Sequence, residues 1–433
     1  MLERIVILLG GMAVVTAALY LDLGPSKLFH AREWLGGLYP FVAWPAAVMA
    51  AVVAVSMVWR VALWLTYRPV PALLATDPRL PDVTVLVPAY NEGATVAECI
   101  GSILGSEYPA DRVRVIAVDD GSRDHTWAYM ERAAALDPAR VELVRLPENR
   151  GKRRALYAGF RRVATPVVVT VDSDTVLAGE ALRSLVSALV GGARVGAVAG
   201  RIEVINRPEN LLTRMLGVRY RIGFDFVRAY QSRLRSVFIC PGAFTAYRMA
   251  AIRDGLRAWR DYRFLGRRCH NGDDHHLTNL VLRRGWDTVY QSTGVARTRV
   301  PSTYRGLSLM YLRWARSNIR ESLVYLSFAP ALLTHLRRLP AVVDALARFV
   351  QIPLRLYLLL AGWIAVAMHP GLVLRSLAVA VLFSLVHGAV YLRSERSLDA
   401  VYVVLYSVFS LLTLQWIYPA AAVTIRQSRW LTR

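Results

Sequence analysis

The stretch VRVIAVDDGS, Val113 to Ser122, decides the reading of this chain, and VVVTVDSD, Val167 to Asp174, repeats its logic. Each is a short run of β-branched residues that stops at carboxylates. Such residues favour strands, whereas Asp, Gly and Ser favour turns, so each stretch reads as a strand and the turn that ends it. Working outward, Val83–Val87 and Val141–Leu146 read as further strands. Thr95–Leu104, Thr126–Leu136 and Lys152–Val163 read as the helices between them. This alternation is α/β, and strands so short and apolar imply a sheet covered on both faces and therefore mostly parallel. Ligands of open parallel sheets bind beyond the carboxyl ends of the strands, so both acidic clusters point into one crevice.

The flanks differ in kind. Of 433 residues, 55% are hydrophobic, too many for an ordinary soluble enzyme. Ile5–Leu23 and Phe41–Leu65 are long enough to cross a hydrocarbon layer of ~30 Å, with Arg60 the main blemish. Val350–Met368 and Leu372–Leu392 are two more candidates. Ile5–Leu23 also reads as a signal peptide, although no clear cleavage site follows it. A net charge of +22 invites a nucleic-acid partner, but membrane proteins concentrate Arg and Lys in their cytoplasmic parts. The Arg-rich middle, Arg68 to Arg338, is accordingly expected in the cytoplasm, with no nucleic acid. Three cysteines without paired spacing read as reduced thiols.

Several residues can carry chemistry. Asp172 and Asp174, two apart at a strand end, can address one ion, and a hard divalent cation keeps phosphate oxygens as partners. The plain alternative is a solvated Asp-rich turn. Asn149 to Arg154, NRGKRR, opens a helix whose N–H groups and Lys152 suit a phosphate; a basic surface helix is the alternative. Gly272 to Asn279, GDDHHLTN, offers a carboxylate as general base, against an acidic helix start that merely complements the dipole. Its two histidines lack metal-ligand spacing. Arg313 and Trp314 pair a diphosphate-binding guanidinium with a flat ring for a sugar, or are a snorkelling Arg beside an interfacial Trp. They lie in Leu307–Leu326, which reads as an amphipathic helix along the membrane surface.

The ordered set V-P-A-Y-N-E (Val87 to Glu92), D-D-G-S, N-x-G-K-R, D-S-D, G-D-D-x-H-L-T-N and R-W resembles the family 2 glycosyltransferases. Within them it is most similar to the processive synthases of hyaluronan and of rhizobial chitin oligosaccharides. The resemblance runs from about Val83 to Arg433. It implies a nucleotide-sugar-binding domain of GT-A type inserted between transmembrane helices. It further implies that Tyr90, Glu92 and Asp120 hold uridine, that Asp172 and Asp174 place the diphosphate and Mg²⁺ or Mn²⁺, with Asp174 the more direct ligand, and that Asp274 is the base. Arg313 and Lys152 would stabilise departing UDP, and Trp314 would carry the terminal sugar of the growing polysaccharide. Two departures stand out: Met310 occupies a position where the family has Gln, and Trp430 to Arg433 resembles a W-G-T-R gating segment with Leu431 in place of Gly.

The expected layout is two membrane helices in 1–68, a cytoplasmic transferase domain in 69–305, amphipathic interface helices in 306–345 and membrane helices with a terminal gating segment in 346–433. If Trp430 and Arg433 are to reach the active site, the apolar run Ala400–Ile425 has to bend. Gln415 to Pro419 is the expected place, because Pro419 lacks a backbone donor. The functional expectation is a multi-pass plasma-membrane synthase that polymerises UDP-N-acetylglucosamine, with UDP-glucuronic acid as second sugar, and extrudes the product. A chitin-type synthase using the first sugar alone, a transferase to a lipid carrier, and a catalytically degenerate transporter are the other readings.

Overall fold

The computed structural model describes residues 39–368 and 372–427, together with Met12. The expected first span, Ile5–Leu23, apart from Met12, and the terminal Trp430 and Arg433 therefore lie outside the described residues. Eight strands form one sheet: β1 (Val83–Ala89), β2 (Val113–Asp119), β3 (Val141–Arg145), β4 (Val167–Val171), β5 (Thr175–Leu177), β6 (Val195–Val204), β7 (Phe244–Arg248) and β8 (Asp287–Thr298). Every residue of β1 and β4 is buried, the pattern of strands covered on both faces. α1 (Tyr39–Leu65) leads into the domain, and the covering helices are α2 (Thr95–Leu104), α3 (Thr126–Ala134), α4 (Lys152–Phe160) and α5 (Ala181–Val190). In α2 the buried Val96, Cys99, Ile100 and Ile103 recur at helical spacing and form the stripe that faces the sheet.

The sheet order is β3-β2-β1-β4-β7-β6-β8-β5. β1 pairs in parallel with β2 and β4, and β2 with β3, so these carboxyl ends share one edge. β7 runs antiparallel between β4 and β6, and β5 antiparallel to β8. The sheet is thus mostly parallel as expected, with β7 and the short edge strand β5 the exceptions. The chain reaches β7 from the far end of the sheet, after a long helical excursion through α6 (Leu211–Ile222) and a π-helical turn, Gly223–Arg228.

Beyond the sheet come α7 (Asp273–Arg283), α8 (Tyr304–Leu332), α9 (Leu339–Met368), α10 (Leu372–Glu395), α11 (Val401–Thr413) and α12 (Ile417–Val423). Among the described residues, three helices are long and apolar enough to cross a membrane, over Trp44–Leu65, Leu336–Met368 and Ser376–Glu395. α9 begins ahead of the 345/346 border drawn from composition. The Arg60 blemish is paired: its Nε donates to Asp344 Oδ1 at 2.9 Å, which removes most of the cost of a charge in an apolar helix. The last apolar run does bend, by 50° between α11 and α12. The break is Leu414 to Trp416, slightly ahead of the expected proline. Pro419 lies in the first turn of α12, where a missing N–H costs little.

Candidate active site

The turn after β1 and the turn after β2 are tied to each other. The Asn91 and Glu92 amides donate to Ser122 Oγ at 3.0 Å and Thr126 Oγ1 at 2.8 Å. Gly121 has φ +71°, and a Cβ there would lie 2.6 Å from the Glu148 carbonyl carbon, so only glycine lets the turn after β2 approach the loop before α4. Asp120 is 2% exposed and accepts from the Arg150 and Gly151 amides at 2.9 and 2.8 Å. Burial raises its carboxyl to about 6, although those two bonds oppose the rise. The same bonds hold the loop before α4, so Lys152 is delivered to the crevice and bonds the Asp172 carboxylate.

Asp172 and Asp174 follow β4. Burial first, and then the Asp172 charge, push the Asp174 carboxyl up to about 6, with Lys152 opposing. Around Lys152, burial alone lowers the ammonium, but Asp172, Asp273 and Asp274 outweigh it and hold it above its ordinary value. Among the described residues, no group of three His, Cys, Asp or Glu side chains forms a ready-made metal site. Two carboxylates crowded enough to raise a pKa, with room for phosphate oxygens beside them, nevertheless fit a hard divalent cation that keeps substrate ligands.

Asp274 sits in the first turn of α7. Its oxygens accept from the Gly242 amide at 3.1 Å and the His275 amide at 2.8 Å. A Cβ on Gly242 would lie 3.1 Å from Lys152 Nζ, 3.6 Å from Asp274 Cβ and 3.7 Å from Asp172 Oδ1, so that glycine marks the point where these three side chains meet. Burial, reinforced by Asp273, raises the Asp274 carboxyl, which makes its ionised form a stronger proton acceptor.

One cavity of about 1840 Å³ is lined by Tyr90, Glu92, Asp120, Lys152, Asp172, Asp174, Asp274, Arg313 and Trp314. It continues between the apolar helices to Gln351 and Arg355 on α9 and Tyr418 on α12. Trp314 is 43% exposed and is flanked by the rings of Tyr311 and Tyr220, at 5.6 and 6.2 Å between centroids. Met310 also lines the cavity, buried among Leu216, Leu307 and Leu414, so an apolar thioether stands where the family has an amide.

Two sets of contacts lie beyond the sequence, in which Arg320 and Glu321 are only charges of the amphipathic helix and an R-E step that follows R-W. Thr298, at the end of β8, donates to Asp174 Oδ1 at 3.4 Å. More consequential is the joint between α7 and α8. Glu321, fully buried, takes His276 Nδ1 at 2.8 Å and Asn279 Nδ2 at 3.1 Å. Arg320, also fully buried, donates to the Asn271 carbonyl and side chain at 2.9 Å. These charges face inward, whereas an amphipathic surface helix places them in water. The histidines therefore serve packing: His276 stacks on Tyr262 at 3.7 Å and His275 is buried. The signal was present in the pairing of His276 and Asn279 at helical spacing with a distant Arg-Glu step, but it needed a contact to be read.

A model of the family described as "Glycosyl transferase family 2" matches residues 84–256. Among curated relatives, an N-acetylglucosaminyltransferase of Rhizobium sp. strain N33 is 38% identical over 255 residues, 58% of this chain and 56% of that protein. The chain thus matches little more than half the length of that relative. An N-acetylglucosaminyltransferase of Azorhizobium caulinodans is 31% identical over 357 residues, 82% of this chain and 88% of that protein. Among solved structures, the mannosyltransferase PcManGT of Pyrobaculum calidifontis, in complex with GDP-Man and Mn²⁺, aligns with TM-score 0.61 at 23% identity. That alignment covers 90% of this chain and 99% of the other, a likeness of fold.

Proposed function

The chain belongs to the family 2 glycosyltransferases of the rhizobial chitin-synthase type, and from that premise we propose that it is a membrane-embedded inverting N-acetylglucosaminyltransferase that extends a β-linked chain from UDP-N-acetylglucosamine. The observation that carries this reading is the single cavity in which Asp120, Lys152, Asp172, Asp174, Asp274, Arg313 and Trp314 meet before it passes between the apolar helices. The names of the relatives favour one sugar over the alternating hyaluronan pair, so UDP-glucuronic acid is left out of the proposal.

In this reading Tyr90, Glu92 and Asp120 hold the uridine. Asp174 and Asp172 would hold Mg²⁺ or Mn²⁺, which would supply positive charge against the diphosphate. Asp274, fixed by the Gly242 and His275 amides, takes the proton of the acceptor hydroxyl as the hydroxyl oxygen attacks the anomeric carbon and the bond to UDP breaks. Arg313 and Lys152 stabilise the charge left on UDP. Trp314 gives the acceptor sugar a flat apolar platform. The domain of 69–305 lies on the cytoplasmic side, α8 joins it to the apolar helices with Arg320 and Glu321 turned toward α7, and the cavity between the apolar helices is the exit path.

Purified protein in nanodiscs with UDP-N-acetylglucosamine and Mn²⁺ or Mg²⁺ is expected to release UDP. Its product, by mass spectrometry, is a ladder spaced by one N-acetylhexosamine. Asp274→Asn is expected to lower turnover by ~10²–10⁴-fold while sparing UDP binding. Turnover equal to wild type in that variant removes Asp274 as the base, and an absolute need for UDP-glucuronic acid restores the two-sugar reading.

A further inference from the structure

At the opposite end of the sheet from the active site lies a second, smaller pocket of about 360 Å³. It is built where β6 and β8 begin, and its lining includes Arg194, Arg235, Arg337, Arg338 and Asp287. Four guanidinium groups face one carboxylate, a surplus of three positive charges among these lining residues. Asp287 is shared by Arg338 at 2.7 Å, Arg337 at 3.1 Å and Arg235 at 3.4 Å. One carboxylate cannot neutralise three such neighbours. Arg338 is 2% exposed and spends its terminal nitrogens on the carbonyls of Arg235, Gly285 and Trp286, while its buried Nε has no partner. The other three arginines are exposed. Arg337 already donates to Asp287 at 3.1 Å and to the Gly285 carbonyl at 3.3 Å, and Arg235 meets Asp287 through its Nε, so each spends only part of its five N–H donors inside the protein.

The position of the pocket names the ligand. Arg337 and Arg338 immediately precede α9, one of the helices long and apolar enough to cross a membrane. Beside them Leu336 is 84% exposed, and Leu333 and Leu339 are exposed as well. Apolar side chains turned outward next to an arginine pocket, at the root of such a helix, match the acyl and phosphate parts of a lipid. The nucleotide crevice is at the other end of the strands, so the substrate diphosphate is not what these arginines serve. We propose that Arg194, Arg235, Arg337 and Arg338 hold the headgroup phosphate of an anionic phospholipid, with its acyl chains along Leu333, Leu336 and Leu339. The site anchors the end of α8, the helix that carries Arg313 and Trp314, at a fixed depth in the membrane surface.

The test uses the full chain in nanodiscs of phosphatidylcholine with and without phosphatidylglycerol, read by native mass spectrometry of the lipid that stays bound. Arg338 is left intact because it holds the fold. Arg194→Gln, Arg235→Gln and Arg337→Gln are each expected to weaken phosphatidylglycerol retention about fivefold, and the triple variant by about a hundredfold. UDP release by the triple variant in phosphatidylcholine alone is expected to equal that of wild type, which separates this site from the proposed transferase reaction. Equal retention by wild type and triple variant overturns the proposal. So does displacement of phosphatidylglycerol by inorganic phosphate or UDP, because the pocket then serves a soluble anion.

Discussion

Gly272→Ala tests the joint on which the proposed chemistry depends. Gly272 precedes α7 with φ +71°, and a Cβ built there would lie 2.1 Å from Ser317 Oγ, 3.0 Å from Ser317 Cβ and 2.9 Å from Arg320 Nη2. The left-handed backbone costs an alanine ~1–2 kcal/mol. Crowding adds about 1–3 kcal/mol, because Arg320 is buried and held by Asn271 and cannot swing away. A loss of ~2–5 kcal/mol is therefore expected, read as a lowered midpoint of thermal denaturation in detergent. Turnover is affected as well: α7 carries Asp274 and α8 carries Arg313, and a displacement of ~1 Å between reacting groups costs on the order of 10²-fold. Adding Ser317→Ala removes the nearest contact but leaves the backbone strain. The double variant is expected to recover roughly half of the lost stability, a non-additivity that two independent sites do not show. A Gly272→Ala protein with the wild-type midpoint and UDP release refutes the wedge, and a double variant no better than the single one refutes Ser317 as its source.

Asp120 and Asp174 both lie near pH 6 and both must be ionised to hold their partners, so UDP release is expected to fall as pH drops through about 6. The slope is about tenfold per unit or steeper below that point, and a pH–rate profile that stays flat to pH 5 speaks against these assignments. Glu321 runs the other way. Burial would raise its carboxyl, but the His276 bond and the nearby His275, His276 and Arg320 charges hold it down at about 2. A depressed carboxyl contributes stability above its unfolded pKa and loses it as pH falls toward the folded one. The stabilising contribution of the ionised Glu321 is thus lost as pH falls from roughly 4.5 toward 2. Glu321→Ala is expected to destabilise by ~3–5 kcal/mol, seen as a lowered denaturation midpoint at pH 7, since it leaves Arg320 buried without its acid. EDTA is expected to stop UDP release and Mn²⁺ or Mg²⁺ to restore it; release unaffected by the chelator removes the metal from the proposal.

The amino-acid order alone determined the local pieces of this protein. β-branched runs, two of them stopping at Asp, located β1, β2 and β4 to within two residues, because strand propensity and turn chemistry are short-range. The rule that parallel sheets bind ligands at their carboxyl ends by itself directs Asp120, Asp172 and Asp174 to one crevice. Long apolar runs marked the membrane-length helices, since length and hydropathy are properties of a segment by itself. Tertiary structure decided what depends on contacts between distant residues. The antiparallel β7, the burial of Arg320 and Glu321 inside α8, the role of His276 as a packing partner and the arginine pocket around Asp287 all arise from side chains far apart in the chain. A helical wheel assigns charges to water because it knows nothing of a second helix bringing His276 and Asn279 against them. Whether a buried charge is tolerated depends on the partner it meets, and that partner is chosen by the fold.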